Sequence, residues 1–119
     1  MSVEKMAVRD SMGQAVAARE AIFAKKGIDP LILDVRRLSG VTDFYVLASG
    51  NSGPHLKALE AEVRRGMTGA GMPRPRSAGA PESGWIVVDY LDVVVHLFTP
   101  RARAYYAMEE LWSDAPRVD

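Results

Sequence analysis

The stretch WIVVDYLDVVVHLF, residues 85–98, carries the strongest structural signal in the chain. It consists of two runs rich in β-branched and aromatic residues, 85–90 and 92–98, with almost nothing between them. Such runs are typical of β-strands, and so short a connection allows only a tight antiparallel hairpin that turns near Tyr90 and Leu91. The sequence therefore predicts a β-hairpin in its C-terminal part.

Two more strands are predicted before this hairpin. Residues 31–35 form a short apolar run after Pro30, and residues 44–48 form another run, rich in aromatic and β-branched side chains. The link between them, residues 36–43, is long enough for a hairpin-type connection. We therefore expect the two runs to form a second pair of strands.

Three amphipathic helices are predicted from apolar residues that recur at steps of three and four. The first covers about residues 3–26, the second follows the capping residue Ser52 and ends near residues 69–71, and the third opens at Thr99. Their apolar faces are predicted to comprise Val8, Met12, Ala15, Val16, Ile22 and Phe23 in the first helix, Leu56, Leu59, Val63, Met67 and Ala70 in the second, and Tyr105, Met108, Leu111 and Trp112 in the third.

The remaining segments are predicted to lack regular structure. Residues 71–84 hold three prolines and several glycines, which indicates an exposed loop, and the tail beyond Ser113 is polar and expected to be frayed. The predicted order is α-β-β-α-β-β-α. This is an α/β fold in which helices flank a mixed, mostly four-stranded sheet, in a single domain over 1–119 with its core at about 3–113 and a polar tail at 114–119.

The bulk composition argues against several classes of protein. Hydrophobic residues make up 48% and charged residues 25% of the 119 positions, values that disfavour disorder and coiled coil. Fifteen basic and fifteen acidic residues cancel, so the positive field of a protein that grips nucleic acid non-specifically is absent. There is no cysteine for a thiolate site, and no apolar run approaches the roughly 20 residues that span a bilayer. We expect a soluble protein with no membrane partner.

Polar residues in and near the predicted turns allow both a structural and a functional interpretation. Asp89 and Asp92 flank the hairpin turn, where paired carboxylates can hold magnesium or act as acid and base, but aspartate is also an ordinary turn residue. Turn acids are therefore favoured over catalysis. His96 alternates with valines and lacks a visible metal-site partner, which favours a hydrogen-bonded structural or interface role. At the strand-to-helix junction, Asn51 and Ser52 favour a plain helix cap over an anion cradle.

Large amphipathic side chains concentrate in the last third of the chain, at Trp85, Tyr90, Tyr105, Tyr106 and Trp112. Such residues anchor protein interfaces. We assign Trp112 and one tyrosine to packing and keep Trp85 and another tyrosine as interface candidates. A symmetric homodimer could also bury this surface. The basic residues Arg64, Arg65, Arg74 and Arg76 lack interleaved aromatics, which favours a solvated face over direct RNA contact or sequence-specific recognition of nucleic acid.

Two long segments resemble one protein family. Residues 32–51, ILDVRRLSGVTDFYVLASGN, resemble the first strand pair of the RsfS/Iojap family of ribosomal silencing factors. Residues 84–112, GWIVVDYLDVVVHLFTPRARAYYAMEELW, resemble the most distinctive stretch of that family, which ends in Tyr-Tyr, an acidic residue and Leu-Trp. The motifs are long and ordered, so the resemblance extends over most of the chain.

The resemblance implies a cytoplasmic, non-enzymatic binding protein without cofactor or metal. Such a factor docks on the large ribosomal subunit through ribosomal protein L-fourteen and prevents association with the small subunit by steric exclusion, which represses translation when nutrients are short. Carried over position by position, the family's recurring polar and aromatic residues predict a partner-binding surface comprising Asp43, Trp85, Asp89, Tyr90, Asp92, His96, Tyr106 and Glu109.

The resemblance also implies a fold similar to that of nucleotidyltransferases, and the alternative function is a magnesium-dependent nucleotidyltransferase. That chemistry uses an Asp-x-Asp pair, which this chain lacks, and kinship of fold is not activity. One departure from the family concerns Leu91, because many relatives have glycine at the hairpin turn and leucine resists a positive φ. A different type of turn is therefore expected here, which affects where Asp89 and Asp92 point.

Overall fold

The computed structural model of the chain describes residues 10–119. In that part of the chain, six strands form one mixed sheet with helices on both of its faces. The elements are α1 (Ser11–Ala24), β1 (Ile28–Asp34), β2 (Phe44–Ser49), α2 (Gly53–Gly69), β3 (Arg76–Ala80), a 3-10 turn (Pro81–Ser83), β4 (Trp85–Asp89), β5 (Val93–Phe98), α3 (Pro100–Tyr106), α4 (Met108–Leu111) and β6 (Arg117–Val118). The predicted α/β class is confirmed, with six strands in place of four.

The centre of the sheet is the parallel pair β2 and β5, and the strand order is β3-β4-β5-β2-β1-β6. Every other neighbouring pair is antiparallel, including both predicted hairpins, β1–β2 and β4–β5. The strand that runs parallel to β2 is thus the second strand of the C-terminal hairpin. This arrangement brings the loop before β2 to the turn before β5, where the Asp43 N–H donates to the Asp92 carbonyl at 2.9 Å.

The two long helices cover one face of the sheet. The Asp10 carboxylate caps α1 by accepting from the Gly13 N–H at 2.6 Å, and the Ser52 hydroxyl caps α2 by accepting from the His55 N–H at 3.3 Å. The buried helical residues against the sheet are Ala15, Ala18, Ala21 and Ile22 of α1 and Leu56, Leu59, Val63 and Met67 of α2. The predicted stripe of α2 is confirmed at these four positions. In α1, Phe23 is 59% exposed, so its predicted core position is wrong, and Val8 lies outside the described residues.

The C-terminal segment covers the opposite face only in part. The predicted third helix starts after the Thr99 cap, but it is broken at Ala107, whose φ of 49° ends α3 and starts α4. The break turns the chain so that Met108 and Trp112 pack against the sheet. Two other predicted core positions of this helix are wrong, since Tyr105 is 80% and Leu111 78% exposed.

Two segments predicted to be irregular form the edge strands of the sheet. The expected loop 71–84 contains β3, which pairs antiparallel with β4 along its whole length, from Arg76 opposite Asp89 to Ala80 opposite Trp85. The expectation of a frayed tail is also wrong, because β6 pairs with β1 and the Asp34 N–H donates to the Pro116 carbonyl at 2.8 Å. The predicted start of the domain core, at about residue 3, lies outside the described residues. No helix within residues 10–119 has the length and apolar character needed to cross a membrane.

The largely buried guanidinium of Arg103 ties the C-terminal segment to the sheet. It forms a two-pronged ion pair with Glu109, at 3.0 and 3.2 Å, across the break between α3 and α4. The same group donates to the Ser49 hydroxyl at 3.1 Å and to the carbonyls of Ile28 and Asp29 at 3.3 and 3.0 Å. These contacts hold the start of β1, the end of β2 and both C-terminal helices together.

Replacement of this guanidinium tests that role. We expect Arg103→Met to lower the free energy of unfolding by about 2–4 kcal/mol, because it leaves the Glu109 carboxylate and two carbonyls without their donor. Arg101→Met, on the exposed side of the same helix, is the matched control and should change stability by less than about 0.5 kcal/mol. Urea unfolding followed by tryptophan fluorescence measures both. Equal effects of the two substitutions would contradict the assignment.

Candidate docking surface

The sheet face turned away from α1 and α2 is left half-covered. On β4, Ile86 and Val88 are buried under the helices, so the alternating residues Trp85, Val87 and Asp89 point to the other face and stay partly exposed. Their partners across the sheet extend the same surface, and no long helix formed by residues 10–119 lies over it. We call it the open face, and it comprises Tyr45, Trp85, Val87, Asp89, Val94, His96 and Tyr106.

Trp85 lies at the centre of an aromatic cluster on the open face. Its ring stacks on Phe98, with ring centroids 5.2 Å apart, and contacts Tyr106 of α3 at 4.4 Å. Its indole N–H donates to Nδ1 of His96 at 3.1 Å. Because Phe98 and Tyr106 contact the ring and His96 accepts its hydrogen bond, the indole has a fixed orientation, while part of it faces solvent.

His96 lies beneath this cluster and accepts the hydrogen bond from Trp85. Only 7% of the residue is exposed, and burial lowers its pKa to about 4, against the opposing pull of the Asp89 charge. Because Nδ1 accepts from Trp85, the neutral ring carries its proton on Nε2. This Nε2 is buried and has no hydrogen-bond partner within residues 10–119. The prediction of a hydrogen-bonded role for His96 is confirmed at one ring nitrogen.

Tyr45 and Asp89 form the second half of the open face. Tyr45 lies between His96 and Trp112, with ring centroids 5.3 Å from each. Burial, and then the charge of Asp89, raises the pKa of the Tyr45 phenol. Asp89 on β4 and Tyr45 on β2 both pair with Val94 of the strand between them, so this part of the face carries a carboxylate and a phenol on either side of Val94.

The structure brings together some of the residues predicted to bind a partner. Trp85, Asp89, His96 and Tyr106 belong to the open face, although His96 lies beneath its surface. Asp43 and Asp92 lie at the adjoining end of the sheet, where their backbones are hydrogen-bonded to each other. These six residues therefore form one continuous region that consists of an aromatic surface and an acidic end.

The other two predicted site residues lie elsewhere. Tyr90 points to the helix side of the sheet and is 6% exposed in the main core, so it is not available to a partner. Because Tyr90 lies at the end of a strand, its side chain could point to either face of the sheet. Asp89 points to the open face, so the alternation of side chains along the strand directs Tyr90 to the helix side. Glu109 forms the ion pair with Arg103, and that pairing makes it a brace of the fold.

Sequence reasoning missed Tyr45, Val87 and Val94 as parts of the open face. The signal was available, because Val87 shares the parity of Trp85 and Asp89 along β4. What hid it was the continuous apolar character of the strands, which gives no indication of which side the long helices cover.

The other sequence candidates have structural roles. The side chain of Asp89 accepts from the Leu91 N–H at 2.7 Å, as expected for a turn acid. Ser52 is a helix cap, as predicted, and the Asn51 N–H donates to Nδ1 of His55 at 2.9 Å. Among residues 10–119, no group of three or more histidine, aspartate or glutamate side chains is placed to hold a metal ion. In the predicted basic patch, Arg64 pairs with Glu60 and Arg65 with Glu62.

Comparison with known proteins gives this surface a context. A family model described as "Ribosomal silencing factor during starvation" matches residues 8–119. The chain belongs to the ribosomal silencing factor family. The ribosomal silencing factor RsfS of Bacillus subtilis is 37% identical over 102 residues, which cover 86% of each chain. A plant relative, the chloroplastic protein Iojap of Zea mays, is 30% identical over 88% of this chain and 46% of its own length.

Solved structures of related proteins have the same fold as this ribosomal silencing factor family member. A crystal structure of a protein from Chromobacterium violaceum matches with a TM-score of 0.83 and 34% identity over 87% of both chains. A protein from Bacillus halodurans matches with a TM-score of 0.75 and 32% identity over 87% of this chain and 94% of its own. The family resemblance of the sequence motifs is thus confirmed, and the relatives' names describe regulatory proteins.

The buried neutral His96 makes stability depend on pH. In the unfolded chain histidine titrates near pH 6.5, whereas the folded value is about 4, so the unfolded state alone takes up a proton between these limits. Stability should therefore fall as the pH drops from about 6.5 towards 4, by about 1.4 kcal/mol per unit and about 3 kcal/mol in total.

Urea unfolding at pH 7 and pH 5, with His96→Gln beside the wild type, measures this contribution. The wild type should lose about 2 kcal/mol more than the variant between the two pH values, since other titrating groups are common to both. If the two proteins lose the same amount, His96 is not the source of the pH dependence.

Proposed function

We propose that this chain binds the large ribosomal subunit through the open face and blocks association with the small subunit. The observation that carries the proposal is a preformed aromatic surface, which the described residues 10–119 leave partly exposed, in a member of the ribosomal silencing factor family. Relatives that this chain matches over 86% and 87% of their length are named ribosomal silencing factors, which supports a ribosomal partner. Binding to ribosomes would place the chain in the cytoplasm, as the sequence resemblance implies.

The chemistry of the surface favours a ribosomal protein over ribosomal RNA. Trp85, Tyr45 and Tyr106 offer the aromatic area that is enriched in protein interfaces. The carboxylates at its end, Asp89 and Asp92, would repel phosphates but suit lysine or arginine side chains. The specific partner that the sequence resemblance implies is ribosomal protein L-fourteen. We therefore propose that L-fourteen provides the basic, partly apolar surface that covers the open face.

Silencing by this mechanism requires no reaction. A folded domain bound where the small subunit must dock excludes it by volume alone, so affinity and position decide the effect. In this proposal the aromatic cluster supplies most of the binding energy, and the acidic end sets orientation and association rate. Nutrient shortage would then act through how much of the factor is present or bound.

A second copy of the chain is the main competing occupant of the open face. An exposed apolar surface can bury itself in a symmetric dimer, and the same residues would then be unavailable to the ribosome. Sedimentation velocity with and without large subunits separates the two. A dimer that dissociates on subunit addition indicates competition for one surface.

Removal of the central ring tests the docking surface. We expect Trp85→Ala to weaken binding to purified large subunits by about 1–4 kcal/mol, the range for interface hot spots, and to weaken its effect on subunit joining in light scattering. Phe23→Ala is the matched control, because it removes an exposed ring on the helix side of the sheet and should leave binding unchanged. Circular dichroism confirms that both variants fold. Equal affinities of wild type and Trp85→Ala would refute the choice of face.

A further inference from the structure

The turn between β4 and β5 holds leucine in a conformation that leucine disfavours. Leu91 has a φ of +77°, in the left-handed region that glycine and asparagine tolerate better. The turn is held there by local hydrogen bonds: the Leu91 N–H donates to Asp89 Oδ1 at 2.7 Å, and the Tyr90 N–H donates to the Val93 carbonyl at 2.9 Å. The expectation of a different type of turn rested on the resistance of leucine to a positive φ, and Leu91 adopts a positive φ nonetheless.

Burial does not compensate for this strain. Leu91 is 70% exposed, so its side chain gains little from packing in the folded chain. Glycine would remove the steric cost, and asparagine would reduce it while giving the turn a polar surface. Neither the positive φ nor the exposure gives leucine an advantage for the stability of the fold. A residue held in an unfavourable backbone conformation without such an advantage points to a functional role.

The surroundings of Leu91 indicate the kind of surface it could meet. Asp89 and Asp92 lie on either side of it along the turn, and Asp43 lies beside Asp92, to whose carbonyl its N–H donates at 2.9 Å. The loop that carries Asp43 also exposes Val41, at 87%. Arg36 approaches Asp43, but its guanidinium is held by Asp34 at 2.7 Å. The Asp43–Asp92 hydrogen bond joins this loop to the turn. We call the residues of the two joined segments the apolar tip, which comprises the exposed Val41 and Leu91 and the acidic Asp43, Asp89 and Asp92.

We propose that the apolar tip is a second contact region for the partner protein, in which Leu91 enters an apolar depression with a basic rim. The inference rests on the proposed function and deepens it, because Asp89 belongs both to the tip and to the open face, so one partner covers both. A basic protein surface is the occupant that fits three carboxylates around an apolar side chain. RNA fits poorly, since phosphates would face those carboxylates.

Substitution at Leu91 separates docking from folding, because the two should change in opposite directions. Leu91→Gly relieves the positive φ and should raise the Tm by about 2–6 °C, while binding to purified large subunits weakens by about 10-fold. Leu91→Asn should weaken binding to a similar extent without loss of stability. Leu91→Met keeps an apolar side chain on the same backbone and should bind like the wild type. Phe23→Asn is the control for loss of an exposed apolar side chain on the helix side of the sheet.

The outcomes are distinct. Weaker binding by Leu91→Gly and Leu91→Asn, with Leu91→Met like the wild type, supports the inference. If Leu91→Gly and Leu91→Asn both bind at wild-type strength, the inference is overturned and the proposed function stays intact. The same holds if Leu91→Met binds as weakly as Leu91→Gly. If the wild type itself does not bind large subunits while it is folded, the proposed function fails and this inference fails with it.

Discussion

The parallel pairing of β2 with β5 is the constraint on which the rest of the structure depends. The two strands are joined over six residue pairs, from Phe44 opposite Val93 to Ser49 opposite Phe98, and almost every residue in them is buried. Because they are parallel, the loop that enters β2 and the turn that enters β5 meet at one end of the sheet. That meeting places Asp43 next to Asp92 and creates the acidic end of the open face.

The open face follows from an imbalance in helix length. The helices on one side have 14 and 17 residues, which at 1.5 Å per residue span about 21 and 26 Å and match strands of about 20 Å. On the other side α3 and α4 have 7 and 4 residues, enough to cover β1, β2 and only the near ends of β4 and β5. The strands are nevertheless apolar on both sides. Within residues 10–119 the uncovered remainder is largely apolar and aromatic, and contiguous exposed surfaces of that kind are typical of interaction sites.

Sequence patterns predicted the elements with strong periodicity and missed those that depend on neighbours. The stripe of Leu56, Leu59, Val63 and Met67 and the two hairpins are visible in the sequence because period and composition are local properties. By contrast, β3 consists of Arg76, small residues and glycine, which have little preference for strands; it forms because the edge of β4 offers unpaired backbone groups. The same holds for β6, which two residues complete against β1. Both edge strands form because a neighbouring strand offers backbone groups to pair with, and the local sequence of the edge strand does not show that neighbour.

In the candidate site, too, some features follow from local sequence and others depend on the whole fold. Residue type made Trp85 an interface candidate, and the family resemblance added Asp89 and Tyr106, but their arrangement required knowledge of which face the helices cover. Tyr90 and Glu109 illustrate the limit, since one is turned inward by strand alternation and the other is paired to Arg103 across a helix break that no local pattern indicated. A side chain's chemistry is written in the sequence, whereas its accessibility is a property of the whole fold.

The way Trp85 is held bears on how the open face would bind. Its ring is fixed between Phe98 and Tyr106 and by the hydrogen bond to His96, so little side-chain freedom remains to be lost on docking. The hydrogen bond needs a neutral imidazole, and burial keeps the pKa of His96 near 4, well below the pH at which ribosomes work. Desolvation of the histidine thus keeps its acceptor nitrogen available, and the acceptor nitrogen fixes the indole. In the proposed docking, the fixed indole would offer the partner a surface that is already in its binding form. In the proposed docking, a buried polar residue beneath the open face would therefore act on binding through rigidity, without touching the partner itself.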